Sequence, residues 1–510
     1  GGEATSTTVS SGGVQNVSDG MAGVTTVSSG GTQNVSGGTA YIAVVNSGGV
    51  QNVSGGYAGW TTVNAGGVQN VSGGNAHGTT VSSGGIQNVS SGGTANMAVV
   101  NAGGVQNVSG GNAEQTTVSS GGLQTVAAGG SALDTNVSAG GSQLVSGKGT
   151  YTSVGFVAGT QIVSGGTAEG AIINAGGLQE IDAGGTGKRV NIEAGGTQVV
   201  NRGGSADRSV ISGLQTISAG GNATEYEIEV GGTQNVAAGA VLSGGTNNLV
   251  FGTQSVYGTV DKVYNLQGLQ NIYAGGTAAV EHMQVGGTQN VASGGSGSIL
   301  FMHAGTQNVA GSGSVGTMEK GTQSIAGSGN GTISVLSNGT QDIQSGGSGT
   351  IISMDDGIQT IASGASGTVS AMSWGIQAVQ SGGSGTIISM DDGVQTISSG
   401  GSGTVSAMSG GTQDVQSGGN GIISAMNAGI QIISSGATGT ISVMSGGTQD
   451  VQSGGHDIIS VMSDGTQNVQ SGAIGTINAM NNGIQDVQSG GSGTINAMNN
   501  GIQDVQSGGS

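Results

Sequence analysis

Residues 48–65 read Gly-Gly-Val-Gln-Asn-Val-Ser-Gly-Gly-Tyr-Ala-Gly-Trp-Thr-Thr-Val-Asn-Ala, and residues 66–83 repeat the same pattern. The fixed point of the pattern is a glutamine with a valine or isoleucine two positions later, as in Gln51 and Val53. This pair occurs 28 times, at spacings of 18 or 19 residues in the first ten copies and of 18 residues from Gln323 to Gln503. Self-similarity at a short, fixed period is typical of repeat architectures.

Alternation within the repeat predicts β-strands. The residue after the glutamine varies freely, as Asn16, Glu180 and Asp504 show, which is typical of a solvent-facing position. The glutamine should then share the inward face with the valine. A second β-rich run, such as Thr25-Thr26-Val27-Ser28, lies between glycine turns. We therefore predict an all-β fold, a single long β-solenoid of about 28 coils with two sheets and an 18–19 residue repeat.

A glutamine on the inward face of every coil needs hydrogen-bond partners, because an unsatisfied buried amide costs about 1–3 kcal/mol. Stacked coils lie about 4.8 Å apart, so amides of successive coils can bond to one another as in cross-β ladders. A row of ligand-binding glutamines is the functional alternative. The predicted structural ladder includes Gln15, Gln33, Gln51, Gln69, Gln87, Gln359, Gln377 and Gln395.

Changes in the repeat divide the chain into three predicted sections. Residues 1–180 carry regular Thr-Thr-Val and Gly-Gly-x-Gln-Asn-Val repeats, and residues 321–510 carry strict 18-residue repeats with a methionine. Residues 181–320 have irregular spacing, half of the aromatic residues and six of the seven basic residues. We expect kinks or loops in this middle section, where aromatic side chains fill gaps left by imperfect coils or form a ligand site.

The methionines of the last section recur every 18 residues from Met354 to Met498, beside an apolar column that includes Ile351 and Val369. A thioether column between glycine corners is typical of an irregular core edge, although a docking stripe is the alternative. We predict that these methionines lie in the core.

Composition excludes several classes of protein. The chain has 510 residues with 113 glycines, no proline and no cysteine, so collagen, a disulfide framework and thiolate metal sites are excluded. The net charge is −19, and residues 321–510 contain 11 aspartates without any lysine or arginine. Nucleic acid and anionic membrane surfaces are therefore disfavoured as partners, because both attract basic stripes.

Residues that could carry chemistry show no arrangement typical of an enzyme. The four histidines, His77, His282, His303 and His456, are far apart in sequence and in different registers. Glu225, Glu227 and Glu229 alternate along one predicted strand and indicate an exposed acidic edge. Rows of aspartate, such as Asp355-Asp356 and Asp391-Asp392, lack the calcium-binding nonapeptide motif and indicate a solvated face. We expect no enzymatic activity, no cofactor and no bound metal.

The first residues show neither a basic stretch nor an apolar run, so we expect a mature region or an excised fragment without a signal peptide. No run of about 18 apolar residues occurs in the chain, as a membrane-spanning helix requires.

The repeat at 48–65 and 66–83 resembles that of AIDA-type self-associating autotransporter passengers of Gram-negative bacteria. The resemblance covers residues 1 to about 250 well and becomes looser beyond about 320, where the methionine variant begins. It implies a right-handed β-helical adhesin, extracellular and attached to the bacterial outer membrane or secreted. It further implies cell-to-cell aggregation, host or surface adhesion and biofilm formation, with a membrane translocator barrel that is not part of this sequence.

The same resemblance implies partners. The first is the chain itself on neighbouring cells, followed by host surface receptors or glycans. Passengers of this family are commonly O-heptosylated on repeat serines by a heptosyltransferase, and the matching acceptors here would be Ser10, Ser28, Ser82 and Ser119. The alternative is that serine is merely tolerated at these exposed positions.

Three other functions compete with an adhesin. An extracellular matrix filament or functional amyloid is suggested by the glutamine ladder. A phage fibre would need an apolar trimer axis, which the sequence does not show. Ice binding would need a flat threonine row, and the column of Thr25, Thr61 and Thr79 is broken by Ala43.

Overall fold

The computed structural model describes residues 2–147 and 151–510, and no helix occurs among them. The chain is an all-β parallel solenoid of about 28 coils, which confirms the predicted fold class. It forms two compact units, Gly1–Lys262 and Val263–Ser510, here called unit 1 and unit 2.

One strand of each coil carries the anchor glutamine, and these strands form what we call the glutamine sheet. In unit 1 its strands are Val14–Val17, Thr32–Val35, Val50–Val53, Val68–Val71, Ile86–Ser90, Val105–Ser109, Leu123–Ala127, Ser142–Ser146, Thr160–Ser164, Leu178–Ile181, Thr197–Val200, Leu214–Ile217, Thr233–Val236 and Thr253–Val256. In unit 2 they are Leu269–Ile272, Thr288–Val291, Thr306–Val309, Thr322–Ile325, Thr340–Ile343, Ile358–Ile361, Ile376–Val379, Val394–Ile397, Thr412–Val415, Ile430–Ile433, Thr448–Val451, Thr466–Val469, Ile484–Val487 and Ile502–Val505.

The remaining strands form the opposite sheet. In unit 1 they are Glu3–Val9, Met21–Val27, Thr39–Tyr41, Ala43–Val45, Tyr57–Gly59, Thr62–Val63, Asn75–His77, Thr80–Val81, Thr94–Asn96, Val99–Val100, Asn112–Glu114, Thr117–Val118, Ser131–Val137, Tyr151–Val157, Thr167–Glu169, Ile172–Ile173, Thr186–Lys188, Asn191–Ile192, Ser205–Asp207, Val210–Ile211, Asn222–Thr224, Glu227–Ile228, Val241–Leu242 and Leu249–Val250. Strand Thr259–Leu266 contains the boundary between the units. In unit 2 they are Thr277–Met283, Ser296–Met302, Ser312–Met318, Asn330–Leu336, Ser348–Met354, Ser366–Met372, Ser384–Met390, Ser402–Met408, Asn420–Met426, Thr438–Met444, His456–Met462, Ile474–Met480 and Ser492–Ile495.

Successive coils pair in parallel and in register, so that Gln51 lies beside Gln69 and Val53 beside Val71. Left-handed glycines form the corners. Gly48 has a φ of 71°, which a glycine adopts without steric cost. A Cβ on the next residue, Gly49, would lie 2.5 Å from the carbonyl oxygen of Val27, so the coils also approach too closely there for any other residue.

The core of unit 1 joins the valines of the glutamine sheet to alanines of the opposite sheet, for example Val53 and Ala58. In unit 2 isoleucines or valines such as Ile343 take the valine position, and glycines such as Gly349 face them. The methionine column lies inside unit 2, as predicted, with Met354 through Met480 buried and Met498 exposed.

The opposite sheet differs from the prediction in unit 1. Its strand begins earlier than Thr25, because Met21 and Ala22 also pair with the neighbouring coil. In most coils of unit 1 it is then interrupted by one residue with positive φ, such as Ile42 or Trp60. Glu225 is one of these residues, so the prediction that Glu225, Glu227 and Glu229 share one continuous strand is wrong.

Candidate functional surface

The glutamine side chains form continuous hydrogen-bonded rows inside each unit. The Nε2 of Gln51 donates to the Oε1 of Gln33 at 2.7 Å, and the Nε2 of Gln395 donates to the Oε1 of Gln377 at 2.6 Å. The same contact joins Gln33 to Gln15, Gln69 to Gln51, Gln87 to Gln69, Gln359 to Gln341 and Gln377 to Gln359. All of these glutamines except the partly buried Gln15 are fully buried, so the buried amides do not face solvent.

A threonine completes the glutamine row in many coils of unit 1. The hydroxyl of Thr61 donates to the Oε1 of Gln51 at 3.1 Å, and Thr79 bonds to Gln69 in the same way. Thr25, Thr61 and Thr79 are therefore buried, so this column does not offer the flat exposed threonine row that ice binding would need. The signal in the sequence is a threonine ten residues after the glutamine.

The outer side of the glutamine sheet carries a second row that sequence reasoning missed. In unit 1 the Nδ2 of Asn34 donates to the Oδ1 of Asn16 at 2.9 Å, and the row continues through Asn52, Asn70, Asn88 and Asn107. Each internal amide uses one N–H and one oxygen within the row. The second N–H and the remaining lone pair are left for an external partner.

The predicted glycan acceptors lie at the turn that follows the opposite sheet of unit 1. Ser10 is exposed, whereas Ser28, Ser82 and Ser119 are half-buried. The next residue of each turn is also a serine, and Ser29, Ser83 and Ser120 are exposed. The turns therefore present two adjacent hydroxyls, of which the second is the more accessible in three of the four coils.

Two of the four histidines come together in unit 2, contrary to the expectation that they are dispersed. The Nδ1 of His282 lies 3.1 Å from the Nε2 of His303, and their rings stack with centroids 5.4 Å apart. The Nδ1 of His303 also lies 2.9 Å from a carboxylate oxygen of Glu319. The three residues belong to successive coils, which the irregular spacing of 181–320 concealed. Within the described ranges no group of three His, Cys, Asp or Glu side chains could hold a metal ion.

Aromatic residues of the irregular section seldom fill the core. Tyr226 is buried, and its hydroxyl accepts a hydrogen bond from the Nε2 of Gln254 at 2.9 Å. Burial raises the pKa of Tyr226. Tyr257, Tyr264 and Phe301 are exposed, so the prediction that aromatic side chains fill gaps holds for Tyr226 and is wrong for these three.

The acidic rows of unit 2 are solvated, with one exception. Asp355, Asp356 and Asp392 border a shallow concavity around the exposed Trp374. Asp457 is buried instead, at a register position where its neighbours are Gly439 and Gly475. Its carboxyl accepts hydrogen bonds from Gln449 and Gln467, and burial raises its pKa to about 8.

The described residues contain no helix that is long and apolar enough to cross a membrane.

No family model matches the sequence, so the likeness of the repeat to AIDA-type passengers stays a resemblance. None of the curated proteins matches it either. Among solved structures, a TibC-catalysed hyper-glycosylated TibA fragment is 34% identical in sequence to this chain. The alignment covers 58% of this chain and 93% of the fragment. The TM-score of that superposition is 0.35, so the fold assignment rests on the strand pairing described above.

Proposed function

We propose that this chain is the surface-displayed part of a bacterial adhesin that mediates cell-to-cell aggregation, surface adhesion and biofilm formation. The observation that carries the proposal is the outer asparagine row of unit 1, which repeats one uncharged hydrogen-bonding group per coil. The resemblance of the repeat to self-associating passengers supports the same function.

The mechanism follows from repetition. A single intermolecular hydrogen bond contributes only about 0.5–1.5 kcal/mol, because both partners leave water. Once one contact forms between two aligned chains, each further contact of the row becomes intramolecular, and avidity rises without any strong single site. Rows in register at a fixed coil spacing suit this mode of binding, since two copies of one chain carry matching rows.

The test uses cells that display the full chain and settle when they aggregate. Replacing Asn34, Asn52 and Asn70 by aspartate places like charges on both partners, and we expect settling to be lost. The matched control places three aspartates on the outer side of the opposite sheet, at Thr62, Thr80 and Thr117. Equal loss in both variants would contradict the asparagine row as the contact surface. Micrometre-long fibres from the purified chain, without clumping, would favour the matrix filament instead.

We further propose O-linked glycosylation of the paired turn serines by a heptosyltransferase, as glycosylation is found on the TibA fragment. The acceptors are Ser10, Ser28, Ser82 and Ser119 or their exposed neighbours Ser29, Ser83 and Ser120. Intact-mass and peptide mass spectrometry of the chain from its native host tests this. Masses of hexose or heptose size on these peptides are expected, and an unmodified chain would overturn the proposal.

A further inference from the structure

Four aromatic side chains form a cluster on the outer side of the opposite sheet in unit 1. The ring centroids of Tyr41 and Tyr57 lie 6.1 Å apart, and those of Tyr57 and His77 lie 6.2 Å apart. Trp60 meets His77 edge to face at 5.5 Å. We call Tyr41, Tyr57, Trp60 and His77 the aromatic patch. Its members come from three successive coils, so the patch runs along the coil axis.

The patch stands on strained backbone. Trp60 has a φ of 56°, and the flanking Ile42 and Met97 have φ values of 51° and 54° at the same position of their coils. Bulky and β-branched residues rarely adopt this conformation, and such strain clusters at functional sites. All three side chains are exposed, Trp60 by 54%. The backbone thus holds large apolar groups in solvent rather than in the core.

Glycines beneath the rings give the patch its shape. A Cβ on Gly59 would lie 3.0 Å from a ring carbon of Tyr57, and one on Gly78 would lie 2.7 Å from the indole of Trp60. Each ring therefore lies against backbone on one side. The exposed surface of these rings is left open to a ligand.

The surroundings of the patch are uncharged. Residues 20–113 contain no aspartate, glutamate, lysine or arginine. Partial burial, and secondarily the nearby Tyr41, raises the pKa of Tyr57, so its phenol is a neutral hydrogen-bond donor. Such a surface combines aromatic faces with phenol, imidazole and indole N–H groups. It suits a ligand that is neutral, rich in hydroxyls and apolar on its ring faces.

We propose that the aromatic patch binds a neutral oligosaccharide that lies along the coil axis. The C–H bonds on one face of a pyranose ring carry partial positive charge, which the negative face of an indole or phenol attracts. Tyr41 and Tyr57, which lie on successive coils, stack on successive sugar rings, while the indole N–H of Trp60 and the imidazole of His77 hydrogen-bond to their hydroxyls. This site names a ligand class for the proposed adhesin and rests on that function.

The test is titration calorimetry of the purified full chain with cellotetraose, chitotetraose and the anionic sialyllactose. Two variants copy residues that other coils carry at the same register: Trp60→Gly follows Gly78, and Tyr57→Asn follows Asn75. Trp374→Gly, at an exposed tryptophan of unit 2, is the matched control. We expect saturable binding of a neutral tetrasaccharide, weakened at least tenfold by each patch variant and less than twofold by the control.

Three results would overturn the site: no saturable binding of either neutral probe, binding of sialyllactose alone, or equal weakening by Trp374→Gly. Loss of chain self-association in Trp60→Gly without any sugar binding would assign the patch to a second copy instead. The cell-settling assay distinguishes failure of the sugar site from failure of the proposed aggregation function. Settling that persists in Trp60→Gly while sugar binding is lost supports the sugar site and keeps the aggregation function intact.

Discussion

The two units satisfy the same buried glutamine in different ways. In unit 1 a threonine hydroxyl donates to the glutamine oxygen, as Thr61 does to Gln51. In unit 2 isoleucine occupies the inward position, and the amide nitrogen donates to a backbone carbonyl, as Gln395 does to Gly385 at 3.4 Å. The backbone also differs between the units. In most coils of unit 1 a left-handed residue interrupts the strand, as Trp60 does directly before the inward Thr61, whereas the strands of unit 2 run on continuously.

The largest effect on stability should come from Asp457, which occupies a core-facing position where the neighbouring coils of unit 2 carry Gly439 and Gly475. Below pH 4 its carboxyl is protonated in folded and unfolded chains alike. Between pH 4 and about 8 only the unfolded chain loses the proton, so unit 2 loses about 1.4 kcal/mol of stability per pH unit. We expect Asp457→Gly to remove this slope and to stabilise unit 2 at pH 7 by about 4 kcal/mol.

Hydrogen-exchange protection of residues 438–480, corrected for intrinsic exchange, measures this slope. The outward Asp414 provides the control, since Asp414→Asn should leave the slope of the parent chain unchanged. A slope that persists in Asp457→Gly would show that another group causes it.

Replacing one glutamine of the hydrogen-bonded row by leucine should lower the free energy of unfolding more in unit 1 than in unit 2. Gln51→Leu leaves the oxygen of Gln33, the amide nitrogen of Gln69 and the hydroxyl of Thr61 without their partners. We expect a loss of about 3 kcal/mol, because unsatisfied buried groups cost about 1–3 kcal/mol each and the coils relax in part.

The equivalent change in unit 2 is Gln395→Leu, after which Gln413 still donates to Gly403 and Ile422. We expect this variant to lower the free energy of unfolding by about 2 kcal/mol. Urea unfolding followed by local hydrogen exchange compares the two. Adding Thr61→Val to Gln51→Leu should recover about 1 kcal/mol, and no recovery would refute the role of the hydroxyl.

Exchanging the small residues that face the core tests the packing difference. A Cβ on Gly349 would lie 2.5 Å from the Cδ1 of Ile343, so Gly349→Ala should cost about 2 kcal/mol. Ala58→Gly in unit 1 should cost about 1 kcal/mol, from lost burial and added chain entropy.

Thermal unfolding of the full chain reports both changes. Ile343→Val removes the clashing atom, and we expect it to recover part of the loss in Gly349→Ala. The exposed Ser348→Ala serves as the control. Equal losses in Ser348→Ala and Gly349→Ala would mean that packing is not the cause.

The smallest expected effect on stability concerns the residue with positive φ in the opposite sheet of unit 1, which is Trp60 in its coil. Trp60→Gly should stabilise unit 1 by about 1 kcal/mol, because glycine relieves the strain while the exposed indole loses little burial. Trp374 does not have this conformation, so Trp374→Gly should be neutral or destabilising. Thermal unfolding measures both, and a destabilised Trp60→Gly would show that the indole holds the coil.

Much of the architecture could be predicted because the same pattern of inward, outward and glycine positions recurs in every copy of the repeat. Alternation placed Gln51 and Val53 inside, and the methionine period placed Met354 in the core. The hydrogen bond from Thr61 to Gln51 was not predicted, since alternation alone does not register a left-handed residue such as Trp60. His282 and His303 were missed because irregular spacing hides which residues of neighbouring coils meet.

The sequence by itself determined the period, the strand faces, the glycine corners and the uncharged or acidic character of each surface. These properties depend on local sterics, on side-chain polarity and on spacing along the chain. Only the tertiary structure decided that the outer asparagines pair, how Asp457 enters the ladder and how Tyr41, Tyr57, Trp60 and His77 meet. Those contacts join residues some 10 to 20 positions apart, and their geometry is set by the stacking of coils.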